Sequence, residues 1–443
     1  MGMGRSGLSA ARWLSREGAE VTISDIKMEE ELDGELLNKT LALGIKLETG
    51  IHKKETFLSS DMIILSPGVP HDIAPLKAAM EAGIPVMGEM ELAARLIHIP
   101  IVAVTGTNGK STTTALLGCV LKRAGLRTFI GGNIGIPLMD YAFGDWEADF
   151  AVVEVSSFQL DTMNRFCPTV SLLLNISPDH LDRYPDYEAY VQSKLKIFKN
   201  QGSGQYAILN DDDEKLSQFA PAGEVSVLRY GLAKKENRQA YLQGEKLVAA
   251  LKRVELHDFD IKRFTLPGRH NLENLMGVIL AALALGIKPG FIQETIENFK
   301  GLPNRLELVG SIKGVDYYND SKATNVGAAS KSIVSFDRPL ILIAGGRHKG
   351  GDYAPLVEAA KSRVRKAILM GETKYLLAKS FEGVIPFTLA EDMEDAVYQA
   401  FSSAKTNDVV LLAPACSSFD MFSDYAHRGR IFREVVEGLD NGG

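Results

Sequence analysis

The stretch Val104-Thr105-Gly106-Thr107-Asn108-Gly109-Lys110-Ser111-Thr112 combines glycines, a cation and hydroxyls in nine consecutive positions. An apolar run beginning at Ile101 leads into it, and a helical pattern from Thr112 through Lys122 leaves it. Backbone N–H groups at such a helix start point at a bound phosphate, and the helix dipole favours its charge. Gly106 and Gly109 let the backbone turn and approach closely. Lys110 offers a cation to the outer phosphates, and Ser111 offers a hydroxyl to magnesium. Val104 stands where a strict Walker A sequence has its first glycine, so the loop is a variant. Nucleotide binding is the chemistry these residues predict.

Three further groups look able to work beside that loop. Glu154 ends the strand-like FAVVEV, where open α/β sheets bind ligands, and could complete magnesium coordination with Ser111. His180, in NISPDHLDRY, follows the next strand within a polar cluster; it reads as a surface histidine or as a site residue. Lys194 falls on the apolar face that Tyr187, Tyr190, Val191, Leu195 and Phe198 form on one helix, while Lys196 points the opposite way. Burial there favours the neutral amine, which can take up CO₂ as a carbamate; a lysine snorkelling to water is the alternative. The acidic run Asp211 to Glu214 reads as a solvated turn.

Later in the chain, NDSKATN (319–325), GGRHKGG (345–351) and APACSSFD (413–420) each leave a strand and should converge at one end of one sheet. Near the beginning, Gly2-Met3-Gly4-Arg5-Ser6-Gly7 with Asp25 suits a nicotinamide-binding turn, yet a dehydrogenase has no use for the phosphate loop. A switch protein that only hydrolyses nucleotide would share that loop.

These residues need elements to hold them. Strands alternate with helices throughout the 443 residues, and about 150 residues per domain suggests three α/β domains with largely parallel sheets. The expected boundaries are 1–88, Rossmann-like; 89–300, a central ATPase-like domain with the phosphate loop; and 301–443, Rossmann-like. A glycine turn of the first kind normally follows a central strand, so the first domain is expected to lack that strand. Its strands near Val21 and Ile63 would then have no shared neighbour. A net charge of −7 supplies no field towards nucleic acid or anionic membranes. Cys119, Cys167 and Cys416 make no metal spacing and read as packed core thiols of a cytoplasmic, monomeric protein without membrane insertion.

The order TGTNGKST, EVSSFQLD, NISPDHLDRY, GRHNLEN, GLPNRLE, NDSKATN, GGRHKGGD and APACSSFD resembles the Mur ligases over essentially the whole chain. Within that family NDSKATN is similar to the members that add D-glutamate to UDP-N-acetylmuramoyl-L-alanine; folylpolyglutamate synthases differ there. The resemblance implies an ATP-dependent, amide-forming ligase working through an acyl phosphate, with two Mg²⁺ sites. It implies that Gly106 to Thr112 hold the ATP phosphates, with Lys110 on the γ-phosphate. Glu154, His180 and a carbamylated Lys194 would position magnesium, with His180 also a candidate base. Asn271, Asn274, Arg305, Asp320 and Lys322 would contact the nucleotide. Thr324, Lys349, Ser418 and Phe419 would form the D-glutamate pocket, joined by Tyr425 at a position where the family usually has Phe. Asn133 and Ser156 would meet the muramoyl-alanyl part, and Arg5, Ser6, Asp25, Lys27, Ser66 and Gly68 the uridine diphosphate.

Overall fold

The computed structural model describes residues 1–144, 146–179, 183–251, 255–348 and 352–440. His180 and Lys349 lie outside the described residues. The chain forms two compact units, residues 1–262 with 273–296 and residues 263–272 with 297–443.

The first unit opens with helix Arg5–Arg16, in which Leu8, Ser9, Ala10 and Ala11 are buried in succession. Two separate parallel pairs follow, Thr22–Ser24 with Lys46–Glu48 and Ile63–Leu65 with Val86–Gly88. Met1 and Gly2 join them: the Met1 amine donates to Ile64 O (2.7 Å), Ser66 N to Met1 O (3.0 Å) and Gly2 N to Ser24 O (2.8 Å). A cavity of about 1030 Å³ adjoins this junction, lined in part by Ala10, Leu14, Ile23, Phe57 and Ile63.

The same unit contains a nine-stranded sheet. By first residue its order is 257-246-240-226-206-170-101-150-128. From Thr128–Gly132 to Ser226–Gly231 every pairing is parallel, and the central strands, such as Ile101–Thr105 and Val170–Leu173, are buried along their whole length. Continuous apolar runs of this kind suit a parallel sheet covered on both faces. The far edge departs from the expected parallel pattern, since Ala240–Gln243, Lys246–Ala249 and His257–Asp260 pair antiparallel. These strands are only four residues each, too short to show a period, so they are not legible in the sequence.

The acidic run is a turn with Asp212 and Glu214 exposed, as expected, and its first residue alone departs from that reading. Asp211 is buried rather than solvated, accepting from Arg238 Nε at 2.9 Å and pairing with Arg229 at 3.4 Å. Asp213 caps the short helix Glu214–Ser217 and accepts from Ile176 N at 2.8 Å. Of the three thiols, Cys416 is buried, Cys119 half-buried and Cys167 exposed, so only the first is a full core residue.

The second unit holds a six-stranded sheet in the order 307-315-409-340-364-387, by first residue. Only the first pairing, Glu307–Ile312 with Val315–Asn319, is antiparallel. Asn319 and Ile343 both stand beside Leu412, so three neighbouring strands end together. No helix among the described residues is long and apolar enough to cross a membrane.

Candidate active site

The phosphate loop joins strand Ile101–Thr105 to helix Lys110–Arg123. Gly109 turns it with φ 85°, and a Cβ there would stand 2.5 Å from Asn274 Oδ1, so only glycine fits. Asn175, which sequence reading passed over, clamps the loop from the next strand end. Its Oδ1 accepts from Asn108 N (2.9 Å) and its Nδ2 donates to Asn108 O (3.1 Å). Thr107 is held on three sides: its N–H donates to Asn175 O (2.9 Å), its hydroxyl lies 3.1 Å from the Tyr190 hydroxyl, and it accepts from Ser177 N (3.0 Å). Thr112 is half-buried in the first turn of the helix.

Two amines converge on this loop. Lys110 Nζ donates to Gly106 O and Thr107 O, each at 2.9 Å. Lys194 Nζ donates to the same Gly106 carbonyl at 2.9 Å and lies 4.8 Å from the Tyr190 ring centroid. Lys194 is 1% exposed on helix Tyr187–Leu195, so it does not snorkel. Burial, reinforced by the charge of Lys110, brings its pKa down to about 7, so much of the amine is neutral at physiological pH. Lys196 indeed points away, pairing with Asp161 at 2.6 Å.

Glu154 is buried at the end of its strand and bonds Ser111, its expected neighbour, and Asn133, expected to meet the muramoyl-alanyl part instead. Ser111 Oγ donates to its Oε2 (2.6 Å) and Asn133 Nδ2 to its Oε1 (2.8 Å). No cluster of three or more His, Cys, Asp or Glu side chains is gathered among the described residues. The hard oxygens of Ser111 and Glu154 nevertheless fit magnesium brought in with phosphates, an ion that keeps few protein ligands. Ser156 caps helix Ser157–Asp161, reciprocally bonded with Gln159.

In the N-terminal part, Asp25 accepts from Met3 N (2.7 Å) and Lys27 N (3.0 Å), and Ser66 Oγ donates to Gly2 O (3.0 Å). Gly68 O accepts from Arg183 at 3.4 Å. Arg5 is exposed and Ser6 half-buried in the first turn of Arg5–Arg16, and Ser6 bonds Glu89. These residues therefore gather at the carboxyl ends of the two strand pairs.

In the second unit the polar loops do meet. Arg347 N and Ser417 O bond at 2.9 Å, linking the second and third loops. Asp320 is buried and accepts from Ser332 Oγ and from Leu306 N (3.3 Å); burial lifts its pKa to about 6. Arg305 is the nearby cation that opposes this rise. Lys322 Nζ stands 3.8 Å from the Tyr425 ring centroid, a cation–π contact that the tyrosine makes as phenylalanine would. Thr324 is half-buried, Ser418 buried and Phe419 60% exposed. Asn271 donates to Pro267 O at 2.7 Å.

Three family models match this chain in series: the Mur ligase MurD-like N-terminal domain over residues 1–88, the Mur ligase middle domain over 104–282, and the Mur ligase glutamate ligase domain over 304–416. The chain belongs to the Mur ligase family. Among its Mur ligase relatives, the UDP-N-acetylmuramoylalanine–D-glutamate ligase of Geotalea daltonii is 44% identical over 442 residues, covering 100% of this chain and 97% of that protein. The ligase of the same description from Pelotomaculum thermopropionicum is 40% identical, with 100% and 97% covered. Its three-domain Mur fold is seen in solved relatives: MurF of Thermotoga maritima in complex with ADP has TM-score 0.61 at 18% identity, covering 98% and 99% of the two chains. MurC of the same organism has TM-score 0.59 at 20% identity, covering 99% and 98%. Like other Mur ligases, this chain is an ATP-dependent, amide-bond-forming enzyme.

Proposed function

We infer that this enzyme joins D-glutamate to UDP-N-acetylmuramoyl-L-alanine in peptidoglycan precursor synthesis, cleaving ATP to ADP and phosphate. The observation that carries the reading is identity of 40–44% over the full chain with relatives described by that activity. The convergence of two lysine amines, a buried carboxylate and a hydroxyl at one glycine loop supports the phosphoryl half of it.

A carboxylate is a poor acyl donor. In the proposed reaction an oxygen of the alanyl carboxylate attacks the γ-phosphorus of ATP, the bond to the β-phosphate oxygen breaks, and ADP departs. The D-glutamate amine then attacks the carbonyl carbon of the acyl phosphate, loses a proton, and phosphate leaves. Residues 106–112 hold the phosphates through backbone N–H groups, with Lys110 beside the γ-phosphate, where charge accumulates. Ser111 and Glu154, with His180 and a carbamate on Lys194, would hold two Mg²⁺ ions; bound there, they would offset phosphoryl charge. The neutral-leaning Lys194 amine is what makes the carbamate reasonable. Asn274 and Asn271, with Arg305, Asp320 and Lys322, serve the nucleotide. Arg5, Ser6, Asp25, Lys27, Ser66 and Gly68 serve the uridine diphosphate, and Asn133 and Ser156 the muramoyl-alanyl part. Thr324, Lys349, Ser418, Phe419 and Tyr425 take the D-glutamate. His180 is the candidate base for the incoming ammonium. The division into residues 1–88, 89–300 and 301–443 follows these tasks, in a monomeric cytoplasmic enzyme.

Phosphate release in a matrix of UDP-sugar acceptors and amino acids tests the assignment. Release requiring both UDP-N-acetylmuramoyl-L-alanine and D-glutamate is expected. Equal rates with L-alanine, L-lysine or meso-diaminopimelate would defeat it, and release with neither substrate would favour a nucleotide switch.

A further inference from the structure

The last helix, Tyr425–Asp440, carries Arg428, only 1% exposed. A guanidinium in the interior is costly unless its N–H groups all find acceptors. Its Nε donates to Ser321 Oγ (2.9 Å), and Nη2 donates to Ser321 O (2.9 Å) and Cys416 O (3.2 Å). Nη1 donates to Cys416 O (3.2 Å) and Ser417 O (3.3 Å). None of these acceptors is a carboxylate. They are loop groups from the ends of two neighbouring strands, Val315–Asn319 and Val409–Leu412.

The surrounding bonds extend the same clamp. Ser321 Oγ donates to Tyr425 O (2.8 Å), beneath the ring that covers Lys322. Gly429 O accepts from Asn319 Nδ2 (3.2 Å), which also donates to Asn304 Oδ1 (3.0 Å). A Cβ on Gly429 would stand 1.8 Å from that Asn304 oxygen, so the helix has packed as near to the loops as glycine allows. Ala415, beside the clamped carbonyls, is held at φ 60°, a strained conformation for a residue with a side chain.

We propose that Arg428 is a positioning residue for the amino-acid half of the reaction, setting the spacing between the Ser321–Thr324 and Cys416–Ser418 segments. The proposal rests on the reading that Thr324 and Ser418 receive D-glutamate. The fork of a guanidinium can reach both segments at once; a lysine ammonium keeps the charge but, as a single point, cannot span them. Pre-set spacing would lower the ordering cost when the dicarboxylate binds.

The test uses the full-length enzyme with Arg428→Lys, and Ser321→Ala as a milder change to the same clamp. For Arg428→Lys the KM for D-glutamate should rise about tenfold while that for the UDP-substrate stays within about threefold; the KM for ATP, whose contact Lys322 lies in the clamped segment, should move less than that for D-glutamate. Ser321→Ala should shift the D-glutamate KM in the same direction by about threefold. Guanidinium at sub-denaturing concentration should raise kcat/KM for D-glutamate in Arg428→Ala and not in the parent enzyme. An unchanged D-glutamate KM in both variants would overturn the proposal. So would equal movement of all three KM values, or a fall in kcat alone matching a loss of folded protein. If the parent enzyme releases phosphate without D-glutamate, the functional reading fails instead, and that control separates the two failures.

Discussion

Lys194 and Arg428 are both basic side chains buried away from water, and they answer burial differently. The lysine can shed its proton, and its pKa descends to about 7; the guanidinium, though brought down to about 10, stays charged at neutral pH and takes carbonyl oxygens instead. This difference suits one to covalent capture of CO₂ and the other to holding loops. Replacing Lys194 with Met should lower kcat on the order of a hundredfold, as losing a charge-stabilising group does. Because the buried amine itself carries a desolvation penalty, the thermal midpoint should not fall. A normal kcat in Lys194→Met, read by phosphate release, would remove the lysine from the mechanism.

Elements show how much of the structure rests on buried acidic groups. Glu89 opens helix Glu89–Leu96, is buried, and accepts from Met139 N at 2.7 Å. Burial lifts its pKa to about 7 from the 4.5 of a free glutamate carboxyl. Between those values the unfolded chain gives up its proton while the folded chain keeps it, so this residue makes stability decline as pH rises; above about pH 7 the full penalty is present, and below about 4.5 it is absent. Glu89→Gln should therefore melt higher than the parent above pH 7 and alike in acid, as calorimetry across pH would show. Asp211 is also buried, paired with a wholly buried Arg238. Asp211→Ala takes away one charged partner of that guanidinium and leaves it Asp212 (2.6 Å) and Ala233 O (2.8 Å), so it should cost about 1–3 kcal/mol in denaturant unfolding, as losing a charged hydrogen-bond partner in the interior does. A loss under about 1 kcal/mol would mean the pair is solvated after all, as the sequence alone suggests.

At the scale of the whole molecule, each compact unit has hydrophobic clusters of its own. Those of the first unit include one built around Ala103, Val153 and Leu173, and those of the second include clusters around Leu342, Leu369 and Leu411 and around Ile343, Ile368 and Phe432. Separate cores unfold with separate cooperativity, so the calorimetric enthalpy should exceed the van't Hoff value. ADP at a hundred times its dissociation constant should add about 2.7 kcal/mol to the unit bearing residues 106–112. A single two-state transition would show that the units are energetically one.

Contiguous chemistry was legible from residue order alone. The phosphate loop needs a strand, a glycine turn and a helix in succession, and local sequence dictates each of these. Helical periodicity likewise puts Lys194 on the apolar face, because 3.6 residues per turn assigns faces without knowing the partner; that it is buried there rather than snorkelling is decided by packing. What periodicity cannot tell is which atom waits on the other side. Ser111 meets Glu154 across 43 residues of chain, Lys194 meets Gly106 across 88, and Arg428 meets Ser321 across 107. Asp211 looked like surface because acidic runs usually are, until Arg238 arrived from beyond the next strand. Arginine on a helix is ordinarily solvent-facing, so nothing local marked Arg428. Such pairings depend on strand order and sheet closure, properties of the packed chain, and only the tertiary structure decides them.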